Sequence, residues 1–115
     1  MVNIYGIKNC DTVKKALCWL KENDVYFEFH DFKKEGITKE KLKEWGNAEQ
    51  GEILFNKKGT TWKKLSEEEQ QRANTKTGAI QLMQENTSLI KRPVAEITGT
   101  ILIGFNEDAY TKAFL

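Results

Sequence analysis

The chain has few of the residues on which secreted scaffolds and structural metal sites depend. Its 115 residues include two cysteines, Cys10 and Cys18, a single histidine, His30, and a single proline. Two cysteines are too few for the disulfide framework of a small secreted domain. A structural zinc site takes four cysteine or histidine ligands, which this composition does not readily supply. We therefore expect no bound metal, and a fold that is stabilised by its own hydrophobic core.

A dominant charge and a long apolar run are also missing. Eighteen basic and seventeen acidic residues leave a formal net charge of +1, without the basic stripe of a nucleic-acid-binding domain. No apolar run is long enough to span a bilayer, and Met1 leads directly into a β-prone segment rather than a signal peptide. These features predict one domain, residues 1–115, that is a cytoplasmic monomer without direct contact to nucleic acid or membrane.

Cys10 lies between a β-prone segment and a strong helical pattern. Val2–Tyr5 favours a strand, and Gly6 permits the chain to turn after it. Polar side chains within Asn9–Thr12 accept hydrogen bonds from free amides, so the helix is expected to start there. The helical face then repeats at i, i+3, i+4 and i+7. Its apolar residues are Val13, Ala16, Leu17 and Leu20.

A cysteine at this junction is placed to be ionised. The N-terminus of a helix offers unpaired amides and the positive end of the helix dipole to an anion. Such a cysteine commonly has its pKa lowered from ~8.5 to roughly 3.5–7.5. Lys8 and Lys14 favour the thiolate and Asp11 opposes it, so we expect a moderate decrease in the pKa of Cys10. The local pattern leaves two interpretations open, a nucleophilic thiolate or a small buried hydrophobic residue.

The second cysteine, Cys18, is interpreted as a peripheral residue that takes no part in the chemistry. Cys10 and Cys18 are eight residues apart in one helix, which at ~1.5 Å per residue separates them by about 12 Å. A disulfide spans at most ~7 Å between Cα atoms. Cys18 also falls well around the helix from the apolar face, so we expect it near the surface.

The first helix leads into a second strand. Apolar and polar residues alternate over Val25–Asp31, which predicts a half-buried strand. Two strands joined by a helical crossover are expected to pair in parallel. His30, on the face opposite the phenylalanines, is interpreted as a surface or hydrogen-bonded structural residue.

The middle of the chain, residues 37–86, is almost wholly helical in pattern. Glu49–Phe55 is a further helical candidate, and Asn56–Thr61 is predicted to be a polar loop. Ser66 and Glu69 form the sequence of a capping box, which predicts the start of another helix.

The last third returns to strand character. Leu89–Glu96 and Ile101–Gly104 predict an antiparallel hairpin. Asn106 is then a cap for a terminal helix, with Phe105 and Tyr110 spaced as a hydrophobic staple. The complete order is β-α-β, a helical block, and β-β-α.

This order resembles a thioredoxin-like fold, an α/β fold with a four-stranded mixed sheet and a helical insertion at about residues 37–86. Several stretches also resemble the arsenate reductase (ArsC) family in its broad sense, which includes Spx and YffB, and most closely the YffB branch. The resemblance covers essentially the whole chain. The stretches are Tyr5–Thr12, Phe29–Phe32, Asn56–Trp62, Ile90–Pro93 and Ile103–Phe105.

The resemblance implies a nucleophilic cysteine at Cys10 and an oxyanion site that arsenate reductases build from three arginines. Only Arg92 is an arginine here, because Asn56 and the Gly104–Asn106 segment stand at the other two places. Each missing charge-assisted partner is worth ~1.5–3 kcal/mol, so arsenate is expected to bind poorly. The resemblance also implies a cis peptide at Pro93 facing Cys10. Arg92 is interpreted as facing the ligand, the alternative being a surface or ion-paired arginine.

The resemblance further implies an enzyme, a thiol-disulfide oxidoreductase with a single nucleophilic cysteine. The Cys10 thiolate would form a mixed disulfide that external glutathione, the expected reductant, resolves. No bound cofactor is expected. The residues expected to bind glutathione or an oxyanion substrate are Lys8, Asn9, Asp11, Thr12, Val13, Asn56, Arg92 and Pro93.

Two alternatives stay open. The first is an Spx-like regulatory protein that binds RNA polymerase without thiol chemistry. The redox switch of Spx-type regulators is a Cys-x-x-Cys pair, and Val13 stands at its second position here. The second alternative is a retained fold with no present activity.

Overall fold

The computed structural model describes residues 2–48 and 51–115, which form two compact units. The sheet unit is Met1–Glu35 with Arg92–Leu115, and the helical unit is Gly36–Lys91. The expected insertion at 37–86 lies inside the helical unit. Within the described part of the chain, none of the helices has the length and apolar character needed to cross a membrane.

The sheet unit contains a mixed four-stranded sheet in the order β2-β1-β3-β4. β1 pairs with β2 in parallel and with β3 antiparallel, and β3 pairs with β4 antiparallel. This arrangement confirms the predicted β-α-β and β-β-α halves. The strands are β1 (Val2–Gly6), β2 (Phe27–Asp31), β3 (Val94–Ile97) and β4 (Thr100–Ile103).

Three helices belong to the sheet unit. They are α1 (Asp11–Glu22), α2 (Phe32–Glu35) and, at the end of the chain, α7 (Glu107–Phe114). Asn106 caps α7 by accepting a hydrogen bond from Ala109 N–H at 3.0 Å, and the rings of Phe105 and Tyr110 lie 4.9 Å apart. The predicted cap and staple of this helix are therefore confirmed.

The core of the sheet unit forms where α1 and α7 meet the sheet. The predicted face of α1 is buried at Val13, Ala16 and Leu20. Tyr110 of α7 is fully buried and makes an edge-to-face contact with Trp19 at 5.6 Å. The buried cluster comprises Val2, Ile4, Ala16, Leu20, Ala95 and Tyr110.

The helical unit is a set of short helices around buried leucine, isoleucine, methionine and tryptophan side chains. Ser66 and Glu69 form the predicted capping box, and Thr38 caps its helix through Lys41 N–H. The elements are α3 (Lys39–Gly46), α4 (Thr60–Lys64), α5 (Glu67–Arg72), α6 (Lys76–Glu85) and two 3-10 turns, Gly51–Ile53 and Thr87–Leu89.

The second strand is shorter than the sequence predicts. Val25 N–H donates to Leu20 O at 2.9 Å, which ties it to the end of α1 rather than to a neighbouring strand. The strand therefore begins at Phe27. His30 is confirmed as a hydrogen-bonded residue, because its ring nitrogens lie 3.0 Å from Asn3 Oδ1 and 3.1 Å from Glu35 Oε1.

The prediction for Glu49–Phe55 is wrong where it can be compared, and its first two residues lie outside the described residues. The rest forms the Gly51–Ile53 3-10 turn and an isolated bridge from Phe55 to Ile90. Backbone groups of this segment are engaged across the chain, since Lys91 N–H donates to Leu54 O at 2.7 Å. The loop predicted over Asn56–Thr61 also ends early, because α4 begins at Thr60.

The third strand also differs from its prediction over Leu89–Glu96. Leu89 ends a 3-10 turn and Ile90 makes only the isolated bridge. Pro93 has no N–H to give to a strand ladder, and the regular strand starts directly after it at Val94.

Candidate functional site

Cys10 is the N-cap residue of α1. Its extended backbone (φ −92°, ψ 124°) precedes the first helical residue, Asp11. Cys10 N–H donates to Ile7 O at 3.1 Å and Cys10 C=O accepts from Lys14 N–H at 3.0 Å. The helix thus starts within the predicted Asn9–Thr12 window, and the sulfur lies at the helix end where free amides are found.

The register of the sheet brings Arg92 to the same place. β1 and β3 are antiparallel with Tyr5 opposite Val94, so the residue two before Val94 lies level with the turn that follows β1. That residue is Arg92, which precedes a buried Pro93 joined to it by a cis peptide bond. The expectation of a cis bond is confirmed.

The pKa of the Cys10 thiol is lowered from its ordinary value. Partial burial raises the pKa, but the Val13 amide, the hydrogen bond and positive charge of Arg92, and the Thr12 amide lower it by more in sum. A thiolate is the form of cysteine that acts as a nucleophile.

The polar residues next to Cys10 in sequence affect its pKa less than the sequence analysis suggests. Lys8 and Asn9 are exposed in the turn before Cys10, and Asp11 and Lys14 are exposed in the first turn of α1. The lowering of the Cys10 pKa comes from Arg92 and two amides rather than from the lysines.

Gly6 is a residue of the site whose role the sequence did not reveal. A Cβ placed on Gly6 would lie 2.7 Å from Cγ2 of Val13, closer than real Cβ atoms approach, and 3.3 Å from Cγ1, a tight contact. The absence of a side chain therefore lets β1 pack directly on the first turn of α1. The available signal was the alternation of β1, which puts Gly6 on the buried face with Val2 and Ile4.

Asn56 belongs to the helical unit. Its N–H donates to Leu89 O at 2.7 Å, and its Oδ1 accepts from Lys58 N–H at 3.1 Å. It lines a cavity of about 470 Å³ together with Lys57, Lys58 and Lys91. The local pattern predicted a polar loop here, and the family resemblance made Asn56 a candidate ligand-binding residue. The cavity itself was not predicted, and the lysines of the loop were the available signal for it.

Cys18 differs from Cys10 in both position and electrostatics. Both thiols are free, and Cys18 is exposed. Its thiol donates to Glu22 Oε1 at 3.4 Å, and this hydrogen bond, the charge of Glu22 and slight burial raise the pKa of Cys18. The expected surface position of Cys18 is confirmed.

Comparison with known proteins is consistent with this architecture. The ArsC family model matches residues 5–113. The solved structure of a YffB protein is 45% identical, covers 100% of both chains and superposes with a TM-score of 0.92. An arsenate reductase (ArsC) related protein from Brucella melitensis is 41% identical, with a TM-score of 0.74 over 97% of this chain and 92% of that one.

A transcriptional regulator is also among the relatives. The global transcriptional regulator Spx of Streptococcus agalactiae is 29% identical over 117 residues, which cover 100% of this chain and 83% of Spx. The sheet order, the matched residues and the similarity to these proteins all describe an α/β chain of the ArsC and thioredoxin-like type. The chain therefore belongs to the ArsC family and is YffB-like within it.

Proposed function

We propose that the protein is a glutathione-dependent thiol-disulfide oxidoreductase in which Cys10 is the single nucleophile. The observation that carries this proposal is the lowered pKa of Cys10, which results from Arg92 and the amides of Thr12 and Val13 despite partial burial. Among the residues expected to bind glutathione, Lys8, Asn9 and Asp11 flank this sulfur in sequence, and Pro93 follows the arginine. We also propose that the protein acts as a cytoplasmic monomer.

The reaction is a pair of thiol-disulfide exchanges. The Cys10 thiolate attacks one sulfur of a disulfide substrate, an S–S bond forms to Cys10, and the other sulfur leaves as a thiolate. A glutathione thiolate then attacks the substrate sulfur of this mixed disulfide and releases Cys10 as a thiolate. Glutathione supplies the resolving thiol, because Cys18 lies eight residues further along the helix, about 12 Å from Cys10, and has a raised pKa.

Arsenate is a poor candidate for the substrate. Arg92 is the one position of the family's three oxyanion-binding arginines that keeps an arginine, with Asn56 at another. A lone guanidinium lacks the converging charge that a doubly charged oxyanion needs. We expect arsenate turnover to be far slower than exchange with a disulfide.

Adduct formation with oxidised glutathione tests the proposal. Intact-protein and peptide mass spectrometry should find one glutathione per chain, attached to Cys10, at neutral pH. Cys18→Ser should react like the parent, and Cys10→Ser should not react. Arg92→Met removes a hydrogen bond and a positive charge that lower the pKa of Cys10. Adduct formation should therefore slow on the order of tenfold, the effect of raising this pKa by about one unit, or ~1.36 kcal/mol. Reaction at Cys18 with Cys10 unmodified would refute the mechanism.

An Spx-like regulatory role is the competing candidate, and its support is the 29% identity to Spx over the whole chain. In this role the chain would dock on RNA polymerase, and Cys10 would be dispensable. Pull-down of RNA polymerase with parent protein and with Cys10→Ser separates the two roles. Equal capture by both forms, without an adduct at Cys10, would favour the regulator.

A further inference from the structure

The cavity of the helical unit has the size and lining of a small-molecule site. Its volume of about 470 Å³ falls within the roughly 300–1,000 Å³ of typical ligand pockets. Apolar walls come from Ile53 and Phe55, whereas the charged residues that line it are Glu52, Lys57, Lys58 and Lys91. Three lysines against one glutamate leave a net charge of +2 in a chain whose total is +1.

The backbone around this cavity is held from two sides. Phe55 pairs with Ile90 in an antiparallel bridge, and the flanking hydrogen bonds, Asn56 N–H to Leu89 O and Lys91 N–H to Leu54 O, are both 2.7 Å long. Lys91 is therefore kept beside the segment that carries the other two lysines. Distant parts of the sequence form one basic wall.

Aromatic contacts order one of these lysines. Phe55 packs edge-to-face against Trp62 with ring centroids 5.4 Å apart. Lys57 Nζ lies 5.3 Å from the centroid of the same Trp62 ring, a cation–π distance. Phe55 of the apolar wall and the Lys57 ammonium group thus contact the same Trp62 ring.

We propose that this cavity binds an acidic, peptide-like ligand with two carboxylates and one ammonium group, the charge pattern of glutathione. The lysines match the carboxylates, Glu52 matches the ammonium group, and Phe55 and Ile53 match the aliphatic body. A compact inorganic anion has no ammonium group to pair with the Glu52 carboxylate, which would therefore repel it. This inference rests on the proposed function for its choice of ligand, but the cavity itself is built by the helical unit alone.

Binding of S-methylglutathione, which has no free thiol, tests the inference. Full-length Cys10→Ser is titrated with this probe by calorimetry and by amide NMR. The test variant adds Lys57→Gln, Lys58→Gln and Lys91→Gln. An exposed charge pair changes affinity by up to about fivefold, so we expect on the order of tenfold weaker binding and loss of the shifts at Phe55 and Asn56.

A matched control removes three exposed lysines of the sheet unit, with Lys15→Gln, Lys21→Gln and Lys112→Gln, in the same Cys10→Ser protein. It changes the net charge equally and should change the affinity less than twofold. S-methylglutathione with both carboxylates esterified should not bind. Equal weakening in both triple variants, or inorganic phosphate binding as tightly as the peptide, would overturn the inference.

The experiments distinguish failure of the cavity assignment from failure of the proposed oxidoreductase function. If the lysine variant binds the probe normally while Cys10 still forms its adduct, the cavity assignment is wrong and the oxidoreductase stands. If the probe binds in the cavity but no adduct forms at Cys10, the cavity assignment stands and the oxidoreductase is wrong.

Discussion

Gly6→Ala should raise the pKa of Cys10 without touching the sulfur. The new Cβ would lie 2.7 Å from Val13 Cγ2, about 0.7 Å short of the 3.4 Å at which ordinary contact begins. Val13 is fully buried and cannot swing into solvent. The first turn of α1 must therefore move, and with it the Val13 amide, the largest of the influences that lower the pKa of Cys10.

The expected rise in the pKa of Cys10 follows from the free energy that a hydrogen bond from the Val13 amide contributes to the thiolate. A hydrogen bond to a charged group contributes about 1.5–3 kcal/mol, and one pKa unit corresponds to about 1.36 kcal/mol. Weakening the bond partially should raise the pKa of Cys10 by roughly one unit. Overpacking should also lower the free energy of unfolding by about 1–3 kcal/mol.

The assay is the rate of iodoacetamide alkylation against pH, in a Cys18→Ser background so that one thiol reacts. Urea unfolding of each variant checks that the protein is folded. Val13→Ala removes both methyl groups that the new Cβ would meet, leaving Val13 Cβ at 3.6 Å. The double variant Gly6→Ala/Val13→Ala should therefore recover most of the parental pKa.

Two results would refute this reasoning. The first is a destabilised Gly6→Ala whose Cys10 keeps the parental pKa, which would show that the close packing serves stability alone. The second is a double variant whose Cys10 pKa stays as perturbed as in Gly6→Ala, which would show that Val13 does not transmit the change.

Four other predictions concern the thiols and the core. Glu22→Gln should speed alkylation of Cys18, because the hydrogen bond and charge of Glu22 raise the pKa of that thiol; peptide mass spectrometry of the labelled protein measures this. Tyr110→Phe should leave the free energy of unfolding unchanged or raise it by about 1 kcal/mol, since the buried hydroxyl has no hydrogen-bond partner among the described residues; urea unfolding tests it. Ser66→Ala removes the cap of α5 and should lower the free energy of unfolding by about 0.5–2 kcal/mol in the same assay. Because the native state favours the Cys10 thiolate, the stability advantage of the parent over Cys10→Ser should grow as pH rises through the folded pKa and level off above about 8.5, measured by unfolding at a series of pH values.

Local patterns predicted those parts of the fold whose structure depends on local contacts. The start of α1, the capping box at Ser66 and the staple between Phe105 and Tyr110 all depend on neighbours within a few residues, and all are found. The errors lie where distant backbone groups compete. Phe55 leaves its predicted helix because Ile90, which is distant in sequence, forms a bridge with it, and local periodicity cannot reveal such a partner.

The same distinction applies to the candidate site. The position of Cys10 at a helix start was readable from sequence, but the cause of its lowered pKa was only partly so. Lys8 and Lys14 are near Cys10 in sequence and exposed, whereas Arg92 reaches it through the pairing of β1 with β3. Resemblance to a family pointed to Arg92 where charge counting did not.

This dependence on pairing links the reactivity of Cys10 to the integrity of the sheet. β1 sets both the turn before α1 and, through its register with β3, the level at which Arg92 leaves the sheet. A shift of one residue in that register would reverse the faces of β3. Val94 would lose its buried position, and Arg92 would move away from the sulfur. The charge that favours the thiolate is therefore supplied only by a correctly paired sheet, so a misfolded or partly unfolded chain should present Cys10 as an ordinary, weakly reactive thiol.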